Sequence, residues 1–435
     1  MDAQEYARRR RALMRMMDDD AIAILPAAPE AIRNRDVAYP YRQDSDLLYL
    51  TGFPEPEAIA VICPGREHGE FVLFCRERDP EREVWNGRRA GVEGAVAEYG
   101  ADDAFPIGDA DEILPGMIEG REQLYCTMGR YADFDRHVMS WVNEVRGQVR
   151  AGGHAPTEFI ALDHVLHDMR LFKTRDEMRA MRRAARISVA AHQRAMRACR
   201  PGMHEYELEA EFWHEFRRNG AEPAYGLIVG GGANGCVLHY VTNADPLNEG
   251  DLVLIDAGAE YDGYAADITR TFPVNGRFSG PQREVYEIVL AAQKAAIEAA
   301  VAGRHWNDPH ETARAILVQG LIDLGLLGGT VEECIEQESY RRFFMHRTGH
   351  WLGMDVHDVG DYKVDDDWRQ LETGMCLTIE PGLYIAAGED IPPQLQNIGI
   401  RIEDDVAITR GGNEVLTREL VKEADDIEAL MREGR

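Results

Sequence analysis

The chain has 435 residues, of which 45% are hydrophobic, and its formal net charge is −29 with a pI near 4.9. This length exceeds what one typical hydrophobic core accommodates and predicts two domains. A nucleic acid or an anionic membrane would need clustered Lys and Arg side chains, so the acidic balance argues against both as partners.

The first residues, MDAQEYARRRRALMRMMDDD, contain no apolar core of the kind that a signal peptide requires. Further along, no stretch reaches the roughly 18 apolar residues of a membrane span, so we expect a cytoplasmic protein. The basic run Arg8 to Arg11 is predicted to form a solvated helix face. The seven cysteines include no CxxC pair and are expected to be ordinary core thiols.

Residues 1–170 are predicted to form an N-terminal α/β domain. Three apolar runs closed by Pro, Gly or charge indicate strands, namely AIAILPAAP, EAIAVICPG and GEFVLFCRER. A turn-rich stretch at 151–159 then precedes Thr174 and Glu177, which have the spacing of a helix capping box. The second domain is therefore predicted to cover residues 171–435.

The second domain is predicted to begin with a helix, because Met178, Met181, Ala185 and Val189 recur at steps of three and four. Helical patterns also cover 282–302 and 309–325. Strand-like runs are YGLIVG, CVLHYV, DLVLIDAG, ADITRTFPV, CLTIEPGLYI and IGIRIEDDVAIT. This order predicts an α+β fold in which helices cover one side of a curved antiparallel sheet.

Two carboxylates are expected to converge in the segment DLVLIDAGAEYDGYAADITRTF. If Asp262 and Gly263 form the loop of a hairpin, residue 256 faces residue 269, and Asp267 is the diagonal neighbour of Asp256. Buried like charges repel each other and raise each other's pKa, whereas a bound cation removes that cost. The hairpin therefore predicts a metal site.

Further acids and one imidazole add candidate ligands. In IGIRIEDD (398–405) isoleucines alternate with Gly399, Arg401 and Glu403, which places Arg401 and Glu403 on one face of a strand. Glu380 ends the strand-like LTIEPG. Three histidines within twelve residues, His346, His350 and His357, are candidate ligands or catalytic groups.

Two familiar motifs are rejected. His346 and His350 have i,i+4 spacing, but the intervening Arg-Thr-Gly lacks the general-base Glu of a helical zinc motif. The glycines of GGGANG match GxGxxG, yet the β-like CVLHYV follows them instead of a helix that could hold a pyrophosphate. We expect these glycines to form a tight bend, with His239 facing the site just beyond it.

The motifs DAG (256–258), ADITRTFPV (266–274), HWLGMDVHDVG (350–360), EPGLY (380–384) and IGIRIEDD (398–405) together resemble one family. It is the aminopeptidase P branch of the creatinase and methionine aminopeptidase superfamily, peptidase family M24. YPYRQDSDLLYLTGF (39–53), EVWNGRRAG (83–91) and MRLFKTRDE (169–177) are also similar, so the resemblance covers nearly the whole chain.

The resemblance implies a C-terminal pita-bread domain, an N-terminal creatinase-like domain and a homotetramer built as a dimer of dimers. It also implies that Asp256 binds one metal ion, that Asp267 and Glu403 bridge two ions, and that His350 and Glu380 complete the second. One position departs from the family, because Arg347 follows His346 where the family normally has Gly.

The implied activity is hydrolysis of an N-terminal Xaa-Pro bond by a hydroxide that bridges two divalent ions. An oxygen-rich site favours Mn²⁺, with Zn, Co or Fe as alternatives. His357 and His239 are the candidates to bind the developing oxyanion and the peptide, Glu380 to shuttle a proton, and Arg401 to hold the ligand carboxylates. The remaining substrate-binding candidates are His346, Tyr384, Trp85 and Asp36, the last two reaching the pocket of a neighbouring subunit.

Other activities stay open at this point. A prolidase uses the same five ligands but requires a dipeptide with a free carboxylate. Methionine aminopeptidase lacks so long an N-terminal domain, and creatinase lacks the metal carboxylates. A non-catalytic peptide-binding module of this fold would have lost its ligands, whereas this sequence retains all five.

Overall fold

A computed structural model describes residues 1–434 of the chain. It divides into two compact units, Met1–Met169 (unit 1) and the part from Arg170 onward (unit 2). Within the described residues, no helix combines the length and the apolar character needed to cross a bilayer. All seven cysteines are unpaired thiols, and six of them are buried, as expected for core residues.

Unit 1 is an α/β unit, as predicted. Its strands are β1 (Ala21–Pro26), β2 (Ile32–Asn34), β3 (Val37–Ala38), β4 (Ile59–Ile62), β5 (Phe71–Cys75), β6 (Asp103–Pro106), β7 (Gln123–Cys126) and β8 (Glu158–Ala161). Its helices are α1 (Ala3–Met14), α2 (Ser45–Thr51), α3 (Pro80–Asn86), α4 (Gly91–Ala97), α5 (Ala110–Ile118) and α6 (Ala132–Gly147), while α7 (Leu162–Leu171) contains the division.

Six of these strands form one mixed sheet in the order β6-β5-β4-β1-β7-β8. Strand β4 runs antiparallel to β1 and β5, whereas β7 runs parallel to β1 and β8. Strands β1, β4 and β5 are buried along their whole length, so both of their faces are covered. On one side, α5 and α6 contribute Leu114 and Trp141 to a core with Ile24 and Phe74.

The prediction that Arg8 to Arg11 form a solvated face is wrong for Arg9 and Arg10, which are buried. The guanidinium group of Arg9 lies 4.1 Å from the centre of the Tyr49 ring, and that of Arg10 lies 4.0 Å from the Phe71 ring. Each also donates a hydrogen bond to a carbonyl oxygen in α2. A planar guanidinium group stacks on rings and keeps its donors satisfied, so burial of these charges is tolerated.

Unit 2 is built from short strands and longer helices. The strands are β9 (Glu222–Pro223), β10 (Ile228–Gly231), β11 (Leu252–Asp256), β12 (Ala259–Tyr261), β13 (Tyr264–Ala265), β14 (Thr269–Pro273), β15 (Lys363–Val364), β16 (Asp367–Trp368), β17 (Cys376–Ile379), β18 (Gly382–Ile385), β19 (Ile398–Arg401), β20 (Asp404–Thr409) and β21 (Gly412–Val415). The helices are α8 (Arg175–Ala198), α9 (Glu205–Arg218), α10 (Gly280–Ala299), α11 (Asp308–Asp323), α12 (Val331–Glu336) and α13 (Ala424–Glu433).

Helix α8 begins where its capping signal predicts. The Thr174 side chain accepts from the Glu177 backbone N–H, and the Glu177 side chain accepts from the Thr174 backbone N–H. Met181, Ala185 and Val189 form part of its buried stripe, and the helix packs against α9 and against β12 and β13. The first helix of unit 2 therefore covers the sheet that carries the Asp262–Gly263 turn.

The strand pairings described in unit 2 are all antiparallel. Two helices followed by paired strands occur twice, first as α8, α9 and β10 to β14, then as α10, α11 and β17 to β20. Helix α10 packs against β17, β18 and β19, which are strands of the second set. This arrangement is the predicted α+β pita-bread fold.

The prediction of a strand in CVLHYV is wrong. A 3-10 turn covers Gly232–Cys236, and an irregular segment follows it. Gly232 has φ +53, and a Cβ on Gly230 would lie 2.8 Å from the Asn234 carbonyl, so the chain folds back tightly on β10. The apolar residues of the run pack on the cluster of Ile228, Leu254 and Tyr384 from a loop.

Candidate metal centre

The first two carboxylates of the site stand on the predicted hairpin. Tyr261 pairs with Tyr264 across Asp262 and Gly263, which have φ +54 and +78 as a type I′ turn requires. Asp256 pairs with Thr269, as the hairpin register predicted. The two strands are unpaired between the pairs next to the turn and the Asp256–Thr269 pair, and Asp267 lies in this unpaired stretch next to Asp256.

Two breaks in long apolar runs position the next two carboxylates. Strand β17 ends its pairing with β20 at Ile379 and Asp404, and β18 begins its pairing with β19 at Gly382 and Arg401. Glu380 and Glu403 lie in the two links between these ladders. Each apolar run was predicted as one strand, whereas each forms two strands in separate sheets.

His350 lies in an irregular segment, so no helical zinc motif forms there. Its backbone is held by Thr378, which accepts from the His350 N–H at 3.1 Å. Its ring Nδ1 lies 2.9 Å from the Trp351 carbonyl oxygen, so a neutral ring that keeps its proton on Nδ1 would present Nε2 to a metal ion. That Nε2 lies 3.2 Å from Asp267 Oδ2 and 3.6 Å from Glu380 Oε1, so the ring faces the carboxylates.

The five residues expected to bind metal line one cavity of about 320 Å³, called here the site cavity. Donor atoms of Asp267, His350 and Glu403 lie within 4.8 Å of one another. His239, His346, Arg347, His357 and Arg401 line the same cavity.

Arg401 holds carboxylates of the site in position through hydrogen bonds. It is buried, and its guanidinium group donates to Asp256 Oδ2 at 2.5 Å, to Thr269 Oγ1 at 2.9 Å and to Tyr384 Oη at 2.9 Å. Thr269 in turn donates to Glu403 Oε2 at 2.7 Å. The planar guanidinium group thus holds Asp256 directly and Glu403 through Thr269.

Sequence reasoning missed Tyr225 and Thr269. The Tyr225 hydroxyl oxygen lies 2.6 Å from Asp256 Oδ1 and 2.5 Å from Asp267 Oδ1. Thr269 could have been found, because the hairpin register places it opposite Asp256. Tyr225 lies in a loop before β10, and no local pattern links it to acids more than thirty residues away.

Burial and mutual repulsion disturb the ionisation of these carboxyl groups. Burial raises the pKa of Asp256 to about 6 and that of Glu380 to about 7. It also raises the pKa of Glu403 far above its usual value, with the Asp267 charge adding to the shift. Burial opposes the charged state of Asp267 and His350 too, but their contact lowers the pKa of Asp267 and raises that of His350 to about 9.

This donor set fits divalent cations. Four largely buried carboxylates face one buried guanidinium group and one imidazole, which leaves an excess of negative charge. A divalent ion would offset the loss of hydration and the mutual repulsion that raise the pKa values of Asp256, Glu380 and Glu403. Carboxylate oxygens and imidazole nitrogen are also the ligands that such ions accept in proteins.

Comparisons with known proteins show the family of this chain. Residues 179–410 match the model of metallopeptidase family M24, and residues 6–125 match the aminopeptidase P N-terminal domain. The Escherichia coli Xaa-Pro aminopeptidase is 48% identical over 99% of this chain and 98% of its own length.

The chain belongs to the aminopeptidase P family.

Two solved structures of this family cover the whole chain. The structure of the Pseudomonas aeruginosa aminopeptidase PepP has a TM-score of 0.99 and 58% identity, covering 100% of this chain and 99% of that one. A zinc-substituted Escherichia coli aminopeptidase P in complex with product has a TM-score of 0.97 and 48% identity, with the same coverage. The chain is therefore an enzyme of the metallopeptidase class.

His357 stands beside the carboxylates of this aminopeptidase P centre. Its ring centre lies 4.3 Å from that of His350, nearly perpendicular to it. Burial and the nearby His350 lower the pKa of His357. The neighbouring Asp358 accepts hydrogen bonds from Arg170 at 2.6 Å and from Lys173 at 2.9 Å. These buried ion pairs join the His357 loop to the start of unit 2.

The other candidate residues are divided between the two units. His346 Nε2 lies 2.8 Å from Tyr384 Oη, and its Nδ1 lies 3.9 Å from Glu380 Oε2. Trp85 in α3 and Asp36 between β2 and β3 belong to unit 1, where both are exposed. Their expected role at a neighbouring subunit stays a prediction.

Proposed function

We propose that this chain is an Xaa-Pro aminopeptidase, which hydrolyses the bond between the first residue of a peptide and a proline at the second position. The observation that carries the proposal is the group of four carboxylates and one imidazole around a single cavity. Membership of the aminopeptidase P family supports it, since the Escherichia coli relative named above is an Xaa-Pro aminopeptidase. A prolidase activity is the weaker alternative.

The proposed cofactors are two divalent ions. Asp256 would hold one ion, His350 and Glu380 the other, and Asp267 and Glu403 would bridge the pair. Such ions lower the pKa of an attacking water and polarise the scissile carbonyl. The oxygen-rich donor set favours Mn²⁺, and Zn²⁺, Co²⁺ or Fe²⁺ could use the same ligands.

The proposed roles of the protein groups follow from their charges. Arg401 holds Asp256 in place, and its three hydrogen bonds keep the ligand strands aligned. Glu380 is proposed to pass a proton to the proline nitrogen, because its carboxylate lies at the cavity beside the other ligands.

His357 has a lowered pKa, so its ring is neutral and can donate to the oxyanion. His239 is proposed to share that task, while His346 and Tyr384 line the path of the peptide.

The assembly and location are proposed from the family resemblance and the sequence. We propose a homotetramer, a dimer of dimers, in which Trp85 and Asp36 of unit 1 complete the pocket of another subunit. Both are exposed, as such a role requires. We propose a cytoplasmic location, since seven unpaired thiols suit a reducing compartment.

A peptide panel tests the activity. Metal-stripped protein should leave Ala-Pro-Ala intact, and added Mn²⁺ should restore its hydrolysis. Ala-Ala-Ala should resist, and hydrolysis of Ala-Pro alone would favour the prolidase. Turnover of Ala-Pro-Ala by protein shown to be metal-free by elemental analysis would contradict the proposal.

A matched pair of variants tests the site. Asp267→Asn should abolish activity, because a neutral amide bridges two cations poorly. Asp262→Asn makes the same chemical change at an exposed turn with φ +54, where Asn is readily accommodated, and should leave activity unchanged. Equal activity of the two variants would show that Asp267 has no such role.

A further inference from the structure

A second cavity adjoins the site cavity. It has a volume of about 330 Å³, and His346 and Arg347 line both cavities. Three arginines line this second cavity, Arg314, Arg341 and Arg347, so we call it the arginine cavity. A concentration of guanidinium groups stands out in a chain with a formal net charge of −29.

Two of these arginines have carboxylate partners on the cavity wall. Arg314 is paired with Glu311, and Arg341 Nη2 lies 2.7 Å from Glu338 Oε1. Each pair is formed within a single turn of the chain, and its charges largely cancel. These residues therefore add polarity to the cavity but little net charge.

Arg347 differs from both. Among residues 1–434, no ion pair joins Arg347 to a carboxylate. Its Nη1 donates to the amide oxygen of Asn307 at 2.7 Å, and its guanidinium group lies 4.8 Å from the centre of the Trp368 ring. Neither contact neutralises the positive charge, yet together they orient the fork between the two cavities.

We propose that Arg347 binds a carboxylate of the substrate on the C-terminal side of the scissile bond. This inference rests on the proposed peptidase function and names a substrate preference for it. Arg347 repels the ammonium group of a peptide and lies between the site cavity and the arginine cavity, so the part of the peptide after proline faces the arginine. A guanidinium fork binds a carboxylate with two donors, which favours short peptides or an acidic residue after proline.

Two pairs of peptides, each with and without one carboxylate, distinguish the sources of that carboxylate. Ala-Pro-Ala is compared with Ala-Pro-Ala-NH2 for the C-terminal carboxylate, and Ala-Pro-Asp-NH2 with Ala-Pro-Asn-NH2 for an acidic side chain. In at least one pair, the wild-type kcat/KM should be about tenfold higher for the peptide that carries the carboxylate, mostly because its KM is lower. The preference should weaken as the salt concentration rises.

Three variants connect the preference to the residue. Arg347→Gln should bring the ratio within the preferred pair to about one. Arg347→Lys should keep part of the preference, because it retains the charge and loses the fork. Arg410→Gln removes one positive charge from an exposed position outside both cavities and should leave the ratio unchanged.

Binding separates this inference from the proposed function. Calorimetry compares Pro-Ala with Pro-Ala-NH2, and Pro-Asp-NH2 with Pro-Asn-NH2, without any turnover. If Arg347→Gln no longer binds the ligand with the carboxylate more tightly than the ligand without it, the inference is supported even if no peptide is hydrolysed. Equal affinities within both pairs for the wild-type protein, or a preference that survives Arg347→Gln, would overturn it.

Discussion

The ion pairs behind His357 allow a quantitative prediction. Asp358, Arg170 and Lys173 form a buried triad whose side chains are each 1% exposed. Lys173→Met keeps the apolar stem and removes the charge, leaving Asp358 with Arg170 alone. Because one cation remains, we expect a loss of about 3 kcal/mol, at the low end of the range for a broken buried ion pair. For a unit of this size that is a fall in Tm of roughly 6–12 °C.

An exposed ion pair provides the matched control. Lys294 Nζ lies 2.6 Å from Glu423 Oε1, and the two side chains are 46% and 49% exposed. Lys294→Met should cost about 0.2–1 kcal/mol, because solvent screens this pair. Thermal unfolding of both variants and the wild-type protein at pH 7, with equal metal content, measures the difference. If Lys173→Met loses no more than Lys294→Met, the triad does not stabilise the loop.

The same comparison has a predicted pH dependence. The two cations lower the pKa of Asp358, so its charge stabilises the folded chain above the unfolded pKa near 4, and this contribution is lost as pH falls through the folded pKa. The Tm difference between wild type and Lys173→Met should therefore stay constant from pH 7 to pH 5. A difference that disappears at pH 6 would show that another group is responsible.

Three further predictions concern the site. His357→Ala should lower kcat about 10²- to 10³-fold with unchanged metal content and Tm. Loss of metal from this variant would show that His357 is a ligand, and an unchanged kcat would show that it has no catalytic role. Tyr225→Phe should weaken metal retention about 10- to 100-fold in competition with a chelator, and equal retention would show that its hydroxyl is dispensable. Trp85→Ala should impair tripeptide turnover. Dilution to monomers, with the dissociation checked by sedimentation, should impair it too, and full turnover by monomers would refute the shared pocket.

Local sequence signals predicted much of unit 2. The Thr174 and Glu177 capping box marks the start of α8, and the Asp262–Gly263 dipeptide sets the register that brings Asp256 opposite Thr269. Both signals act within a few residues, where hydrogen bonding and turn geometry decide the conformation. Tyr225 shows the limit, because its contact with Asp256 depends on how a loop packs and leaves no trace in nearby residues.

Alternation of apolar residues was a weaker guide. CVLHYV alternates like a strand, yet its side chains cover Leu254 from a loop. The run through Glu403 also alternates, but it breaks between β19 and β20 so that the carboxylate enters the cavity. Burial on one side produces the same pattern in both cases, and only the neighbouring chain determines whether backbone hydrogen bonds are formed.

The sequence by itself determined the α+β class of the second part and the family, while the metal ligands that it suggests stay a prediction. The fold class and the family follow from local spacing and from motifs that resemble a known family. Only the tertiary structure decided which side chains surround the carboxylates, that Arg9 and Arg10 are buried, and that Arg347 has no acidic partner among residues 1–434. Those outcomes depend on contacts between segments far apart in the chain, whose free energy comes from packing and desolvation that no short stretch of sequence contains.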